Sequence, residues 1–272
     1  MWAGIYILIA SMLWSTIGVA TMFSDDTVLM LLTRSILISF AGLLICRSRS
    51  KASILCGVIL GILFISYVAS VLLTGIGPAA YLLYTAPLWS SLLALRYGER
   101  INKTTLCGMI LILISVFLMG LESILFHTIS VYGLLLGLFA GFIYGSYISI
   151  VRYFSSQGLD REVSWGSMPY TLIVVLPLTF LYLSPNYNYP ASTQNSVIAG
   201  SYLAIFCTLI PYRLFAKGTR YLKASTTSVI ASVEPVFASI WDYIIFNKIP
   251  TQPLLLAYIL ITLALILVSI EK

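Results

Sequence analysis

Charge is what this sequence has least of. Only 9% of its 272 residues are Asp, Glu, Lys or Arg, where a water-soluble domain carries about 25%. That is too little to clothe a surface in water, so most of the surface must face lipid. Histidine occurs once, as His127. There is no H-E-x-x-H, no G-x-S-x-G and no phosphate-binding glycine loop, and no pair of aspartates stands within the apolar segments. These absences argue against a zinc hydrolase, a serine hydrolase, an intramembrane aspartyl enzyme and an ATP-driven pump within this chain. The four cysteines, Cys46, Cys56, Cys107 and Cys207, form no C-x-x-C and lie in or beside apolar runs. They read as small packing residues, so no metal or other cofactor is expected. The net charge of +6 is divided among short loops and forms no continuous basic face, which speaks against a nucleic-acid partner.

What is abundant is hydrophobicity: 60% of residues, with a mean hydropathy of +1.02. About 20 apolar residues make one spanning helix, so the length accommodates roughly ten spans with short loops. Ten apolar segments can be traced, at 3–22, 27–46, 53–74, 78–96, 104–121, 131–151, 164–183, 197–216, 224–245 and 253–270. The first has no basic region before it and exceeds the usual core of a signal peptide, so it reads as a span. Ser24-Asp25-Asp26 separates the first pair, and Gly75-Ile76-Gly77-Pro78 forces a tight hairpin between the third and fourth. The expected fold class is all-α integral membrane, with ten transmembrane helices.

Orientation follows from lysine and arginine. The loops after segments 2, 4, 6 and 8, together with Lys272, hold 13 of the 15 basic residues. The other two are Arg34, within segment 2, and Lys248. The loop from Ser184 to Ser196 has no charge. By the positive-inside bias both termini are expected on the cytoplasmic side of a multi-pass protein of the cell membrane.

The chain also repeats itself weakly. Tyr84-Thr85-Ala86-Pro87 in segment 4 matches Ser232-Val233-Glu234-Pro235 in segment 9 at an offset of 148 residues, and Ala10…Trp14 matches Ala140…Tyr144 at an offset of 130. Residues 1–122 and 123–272 thus read as two five-helix halves. Because five is odd, the second half enters the membrane inverted, an arrangement that places a transporter's site near the midplane between the halves.

At these positions the sequence resembles the EamA-type transporters of the drug/metabolite transporter superfamily. Four places carry the likeness: Ala10-Ser11-Met12-Leu13-Trp14-Ser15; Arg34 followed by Phe40-Ala41-Gly42; Pro87…Gly98-Glu99-Arg100; and Glu234-Pro235-Val236-Phe237-Ala238. The resemblance covers nearly the whole chain. A Gly-Glu often found at the end of the ninth span in that family is replaced here by Phe246-Asn247-Lys248. The resemblance implies a secondary transporter moving a small polar or amphipathic metabolite by alternating access, with export of amino acids or related compounds as the family's default. The alternatives are an uncoupled facilitator and an exchanger of sugar phosphates or nucleotide sugars, which would want more cationic groups than Arg34 and Arg213 supply. An intramembrane enzyme is remote.

Ionisable groups inside a bilayer cost about 2.5–3.5 kcal/mol on insertion scales and usually face a cavity or a partner. Glu234, ahead of the kinking Pro235, is the sharpest candidate: a substrate- or proton-binding carboxyl, or else a structural lock between helices. Arg34 is a candidate for coupling or gating, with a snorkelling or capping role as the alternative. Glu99 beside Arg100 and Lys103 is a solvated pair or a gate. Pro87 and Pro235 are matched hinge candidates. The resemblance implies that segments 1, 3, 4, 6, 8 and 9 surround a cavity, which brings Ser11, Trp14, Tyr67, Tyr81, Tyr84, Thr85, Tyr144, Tyr147, Tyr212 and Ser232 forward as lining residues. Buried tyrosine hydroxyls need partners, and a wet cavity provides them. The partners expected are the lipid bilayer, a small-molecule substrate and a proton. Gly133, Gly137 and Gly141 permit close helix contact, most simply within a monomer, with a homodimer as the alternative.

Overall fold

The computed structural model describes residues 2–74, 79, 82–98, 100–126, 131–185, 187–247 and 252–270, and the regular structure among them is entirely helical. A chain this apolar has little choice. In lipid a backbone N–H or C=O finds no water, and a helix satisfies both within itself. The main helices are α1 (Trp2–Trp14), α2 (Ile17–Met22), α3 (Thr27–Ile45), α4 (Lys51–Thr74), α5 (Ala86–Ala94), α6 (Lys103–Phe126), α7 (Val131–Ser156) and α8 (Asp160–Val163). There follow α9 (Met168–Val175), α10 (Leu178–Tyr182), α11 (Gln194–Ala204), α12 (Ile210–Thr219), α13 (Ala224–Ala231), α14 (Glu234–Phe246) and α15 (Gln252–Ile270). Each of the ten apolar segments contains helical residues among those described. Among the described residues, five stretches are long and apolar enough to cross a membrane: Trp2–Met22, Thr27–Ile45, Lys51–Val71, Val131–Ser156 and Gln194–Thr219.

The bundle is apolar outside and partly polar inside. Phe40, Leu44, Phe180 and Ile244 stand well exposed on the perimeter, whereas Ser35, Ser39, Ser53, Ser90, Ser115 and Ser149 are buried. That distribution suits a lipid surround. Packing interleaves early and late parts of the chain: α1 lies on α12 and α13, α4 on α7 and α9, α3 on α9 and α11, and α5 on α7 and α13. The contact between α7 and the residues just before α5 depends on glycine. A Cβ at Gly141 would stand 2.3 Å from Thr85 Oγ1, and one at Gly137 would stand 2.5 Å from Leu82 Cδ1. These glycines therefore serve contacts within one chain.

Several helices are interrupted, each for a local reason. At Ser15-Thr16, between α1 and α2, the two hydroxyls turn back onto Met12 O (2.6 Å) and Leu13 O (2.7 Å), competing with the backbone ladder. Tyr84-Thr85 precedes Ala86-Pro87, and Ser232-Val233 precedes Glu234-Pro235, so the two prolines each stand second in a helix after a two-residue break. A proline is tolerated there because its missing N–H would be unpaired in any case. Between α11 and α12 the chain widens: Ile210 N–H bonds to Ile205 O, five residues back, across Ile205–Leu209. Pro211 supplies the cause, since its ring would press on the Cys207 carbonyl in a regular helix.

The ends of the bundle are tied separately. Asp26 caps α3, its Oδ1 accepting from Val28 N (2.9 Å), Leu29 N (3.0 Å) and the Tyr187 hydroxyl (2.8 Å). An acid at a helix N-terminus is favourable for both its hydrogen bonds and its charge. Burial and the bond to Asp26 push the Tyr187 hydroxyl well above the usual tyrosine range, so this tie is fully present below ordinary tyrosine ionisation and is lost only as pH climbs past it. At the other end, buried Asp160 pairs with Arg213 and, at 3.4 Å, with Arg220.

Candidate functional site

The interrupted helices converge on an internal cavity of about 130 Å³. One water occupies roughly 10–15 Å³ by this measure, so the space admits several waters or a small solute. Its walls are Trp14, Ser15, Ile17 and Gly18 of the first helix pair, Met30, Leu31 and Arg34 of α3, Leu63, Phe64, Tyr67 and Val68 of α4, and Leu83 with Tyr84. Tyr144 of α7, Leu203 of α11, Tyr212 of α12 and Glu234 of α14 close the remainder. Most of the wall is apolar. Its polar groups are one carboxyl, one guanidinium, three tyrosine hydroxyls besides Tyr212, an indole and the hydroxyl of Ser15.

The floor toward Asp160 is aromatic. Trp14 meets Tyr212 at 5.0 Å between ring centroids, Phe215 at 5.3 Å and Tyr144 at 6.4 Å. Tyr147 backs Tyr212 at 5.5 Å. Edge and tilted contacts of this kind are favourable beyond simple burial. Two buried polar atoms here, Trp14 Nε1 and the Tyr147 hydroxyl, have no hydrogen-bond partner among the described residues. Such groups usually mark a place where a water or ligand supplies the missing bond.

Glu234 sits at the first position of α14, where the break before Pro235 leaves the backbone open, and shares the cavity wall with Tyr84. Arg34 enters from α3. Its Nε donates to Thr208 Oγ1 at 2.8 Å, and its guanidinium carbon stands 3.7 Å from the centre of the Phe64 ring. Arg34 and Glu234 form no ion pair with each other. Arg34, placed two turns into a helix, therefore does not snorkel to an end; it is buried at the cavity wall.

Trp14, Tyr67, Tyr84, Tyr144, Tyr212, Glu234 and Arg34 are thus brought together. Four other candidates are not in this wall. Ser11 donates to Ile7 O at 3.0 Å, and Ser232 donates to Ser228 O at 2.9 Å. Thr85 donates to Leu82 O and receives Trp89 Nε1 against α7, and Tyr147 lies beneath the floor. Tyr81 and Glu99 lie outside the described residues, as does the side chain of Pro235; Pro87 is buried in the α5–α13 contact region. Arg213, weighed as a second cavity cation, is instead spent on Asp160 and lies 5.1 Å above the Trp165 ring. Sequence reasoning missed Ser15, Phe64 and Thr208. Ser15 and Thr208 lie within helix irregularities, and a hydroxyl pair or a hydroxyl shortly before proline in an apolar run was the available signal.

A second pocket of about 520 Å³ lies beside the first, lined by Thr16, Val19, Ala20 and Phe23, by Asn195, Ile198, Ala199 and Tyr202, and by Trp241 and Ile245. The short α2 helix separates the two: Ser15 faces one and Thr16 the other. Trp241 Nε1 donates to Ser15 Oγ at 2.8 Å, and the Tyr202 hydroxyl donates to Thr16 Oγ1 at 2.9 Å.

An apolar-skinned bundle of helices around a partly polar chamber defines a multi-pass membrane protein. Comparison with known proteins gives its family: residues 131–270 match the model of the EamA-like transporter family, and the chain belongs to it. An uncharacterized transporter of Archaeoglobus fulgidus is 26% identical over 187 residues, covering 67% of this chain and 63% of that protein. The uncharacterized transporter YdfC of Bacillus subtilis is 30% identical over 181 residues, 64% of this chain and 56% of its own length. The match to these curated relatives thus spans about three-fifths of their length. One solved crystal structure superposes with a TM-score of 0.82 over 99% of both chains at 18% identity, a likeness of fold.

Proposed function

We propose that this chain is a secondary transporter of the cytoplasmic membrane that carries a small polar or amphipathic metabolite, an amino acid or related compound, outward by alternating access. In this reading the ten helical segments cross the membrane as two inverted halves, residues 1–122 and 123–272, with both termini on the cytoplasmic side. Pro87 and Pro235 are hinges, and Glu234 is the group that exchanges a proton. The observation that carries the reading is the chamber itself. It is lined by helices from both halves and holds one acid and one base that are not paired with each other, so both remain for a solute or a proton.

The test is flux through purified protein in liposomes, for a panel of amino acids and small metabolites, with and without a pH gradient, beside Glu234→Gln. Saturable flux that needs the gradient and falls at least about tenfold in the variant is expected. Saturable flux indifferent to both makes the protein a facilitator and Glu234 a structural residue. Absence of saturable flux for every compound removes the transport reading.

A further inference from the structure

The guanidinium of Arg34 is only partly used, and that has a chemical meaning. Arginine carries five N–H donors in a planar fork. Among the described residues, one of them is engaged: Nε, held by Thr208 Oγ1 at 2.8 Å. One face of the plane is covered by the Phe64 ring at 3.7 Å. Nη1 and Nη2 make no hydrogen bond among the described residues, although Arg34 is 4% exposed and borders the chamber.

Thr208 is placed for this task by the backbone. It lies in the widened Ile205–Leu209 turn, and its hydroxyl donates to Leu203 O at 2.7 Å, five residues back. With its proton spent on that carbonyl, the oxygen has only lone pairs left to offer. It therefore accepts from Arg34 and fixes the rotation of the guanidinium about Nε. The free edge, two parallel N–H groups, is the geometry that a carboxylate matches bidentately. A phosphate would bring two charges to the same edge, and among the described residues the lining of the chamber supplies no second cation for it.

We infer that Arg34 is a carboxylate-binding residue of the chamber, positioned by Thr208, and that the solute recognised there carries a carboxylate. This rests on the chamber being a solute site, as in the reading above. The apolar wall formed by Ile17, Met30, Leu31, Leu63 and Val68 suits an aliphatic or aromatic remainder on the solute.

The experiment measures binding to the purified full chain, by equilibrium dialysis and by the shift in its unfolding temperature. The probes are glycine, L-alanine, L-threonine, L-leucine and L-phenylalanine, each as the free acid and as its amide. 4-Methylpentanoate, which lacks the amino group of leucine, is added to separate carboxylate recognition from recognition of the whole amino acid. Expected is an acid-over-amide preference of about tenfold or more for at least one pair, since hydrogen bonds between charged partners are the strong ones. Arg34→Gln brings that preference to about one. Arg34→Lys keeps a charge but not the fork, and retains only a small preference; it also serves if the glutamine variant fails to fold. Thr208→Val weakens acid binding several-fold while leaving amide binding unchanged, and Thr208→Ser restores it, a pattern that a merely structural role for the hydroxyl does not give.

Equal binding of acid and amide, a preference that survives Arg34→Gln or is undiminished in Arg34→Lys, or no binding of any free acid overturns the inference. Its failure is separable from that of the transport reading. Liposome flux of an amide with no preference for acids removes the role of Arg34 and leaves a transporter. Acid-selective binding without flux keeps the carboxylate site and removes the transporter.

Discussion

At the end of the bundle that carries Asp160, the chain is fastened by charge. Asp160 pairs with Arg213 and Arg220, and Arg152 donates to Thr219 O at 3.1 Å and Arg220 O at 2.6 Å. Trp165 Nε1 donates to Leu209 O at 3.1 Å, and the aromatic floor lies between this cluster and the chamber. At the end that carries Asp26 there is no ion pair among the described residues. The ties described there are the capped α3 with its bond from the Tyr187 hydroxyl, Ser196 Oγ accepting from Ser24 at 3.2 Å and from Asp26 N–H at 2.8 Å, and the single hydrogen bonds that Trp241 and Tyr202 make to Ser15 and Thr16. A layer of rings backed by a shared carboxylate is costly to part. A short helix held by two neutral hydrogen bonds is not, because each contributes only about 1 kcal/mol net. The contrast teaches that the Asp26 end is the more easily opened in this arrangement.

Four measurements break or sharpen the contrast. Asp160→Ala leaves two arginines without their shared partner. Breaking a buried pair costs about 3–5 kcal/mol; Arg213 and Arg220 keep side-chain exposures of 24% and 43%, so about 2 kcal/mol is expected, read as a lower unfolding temperature in detergent. Equal stability of variant and parent removes the ion cluster as a fastening. Asp26→Ala loses the helix cap and the Tyr187 contact, about 1–2 kcal/mol by the same readout; a loss larger than that of Asp160→Ala reverses the ranking of the two ends.

Trp241→Phe and Tyr202→Phe each delete one bond, costing about 1 kcal/mol or less. Their larger signature is access. Buried Cys207, whose Sγ lies 3.4 Å from Thr16 Oγ1, reacts faster with a small maleimide in both variants, measured with Cys46 and Cys107 changed to serine. Asp160→Ala leaves that rate unchanged, and an equal acceleration there dissolves the distinction between the ends. The smallest effect is that of salt. About 1 M sodium chloride, with a Debye length near 3 Å, weakens the partly exposed Arg220–Asp160 contact by under about 1 kcal/mol and leaves the Cys207 rate where it was.

How much of this was legible beforehand depends on the distance over which the information acts. The ten apolar segments announce their helices because composition along about 20 residues decides solvent, and solvent decides backbone pairing. The breaks at Pro87 and Pro235 announce themselves through proline. Trp14, Tyr144, Tyr212 and Glu234 stand out because large or ionisable side chains in apolar runs require a reason. The break at Ser15-Thr16 is quieter: serine and threonine are ordinary in such helices, and their turning back onto Met12 and Leu13 is a choice of rotamer. The Arg34–Thr208 bond joins residues 174 apart, and nothing local to either names the other. Asp160 sits in a stretch whose charges resemble any short loop, and its burial arises only once α12 brings Arg213 over it.

The widened turn at Ile205–Leu209 also sets the phase of everything after it. In an unbroken helix, at about 100° per residue, Leu203 and Tyr212 are nine positions apart and point to opposite sides. Here both face the chamber, because the extra residue in the turn takes up about 100° of that difference. Tyr212 in the floor and Arg213 in the ion cluster are consecutive residues on the same rigid stub. Tightening that turn by one residue would swing the ring out of the chamber and the guanidinium away from Asp160 in one movement, so the chamber and the far fastening share a single screw thread.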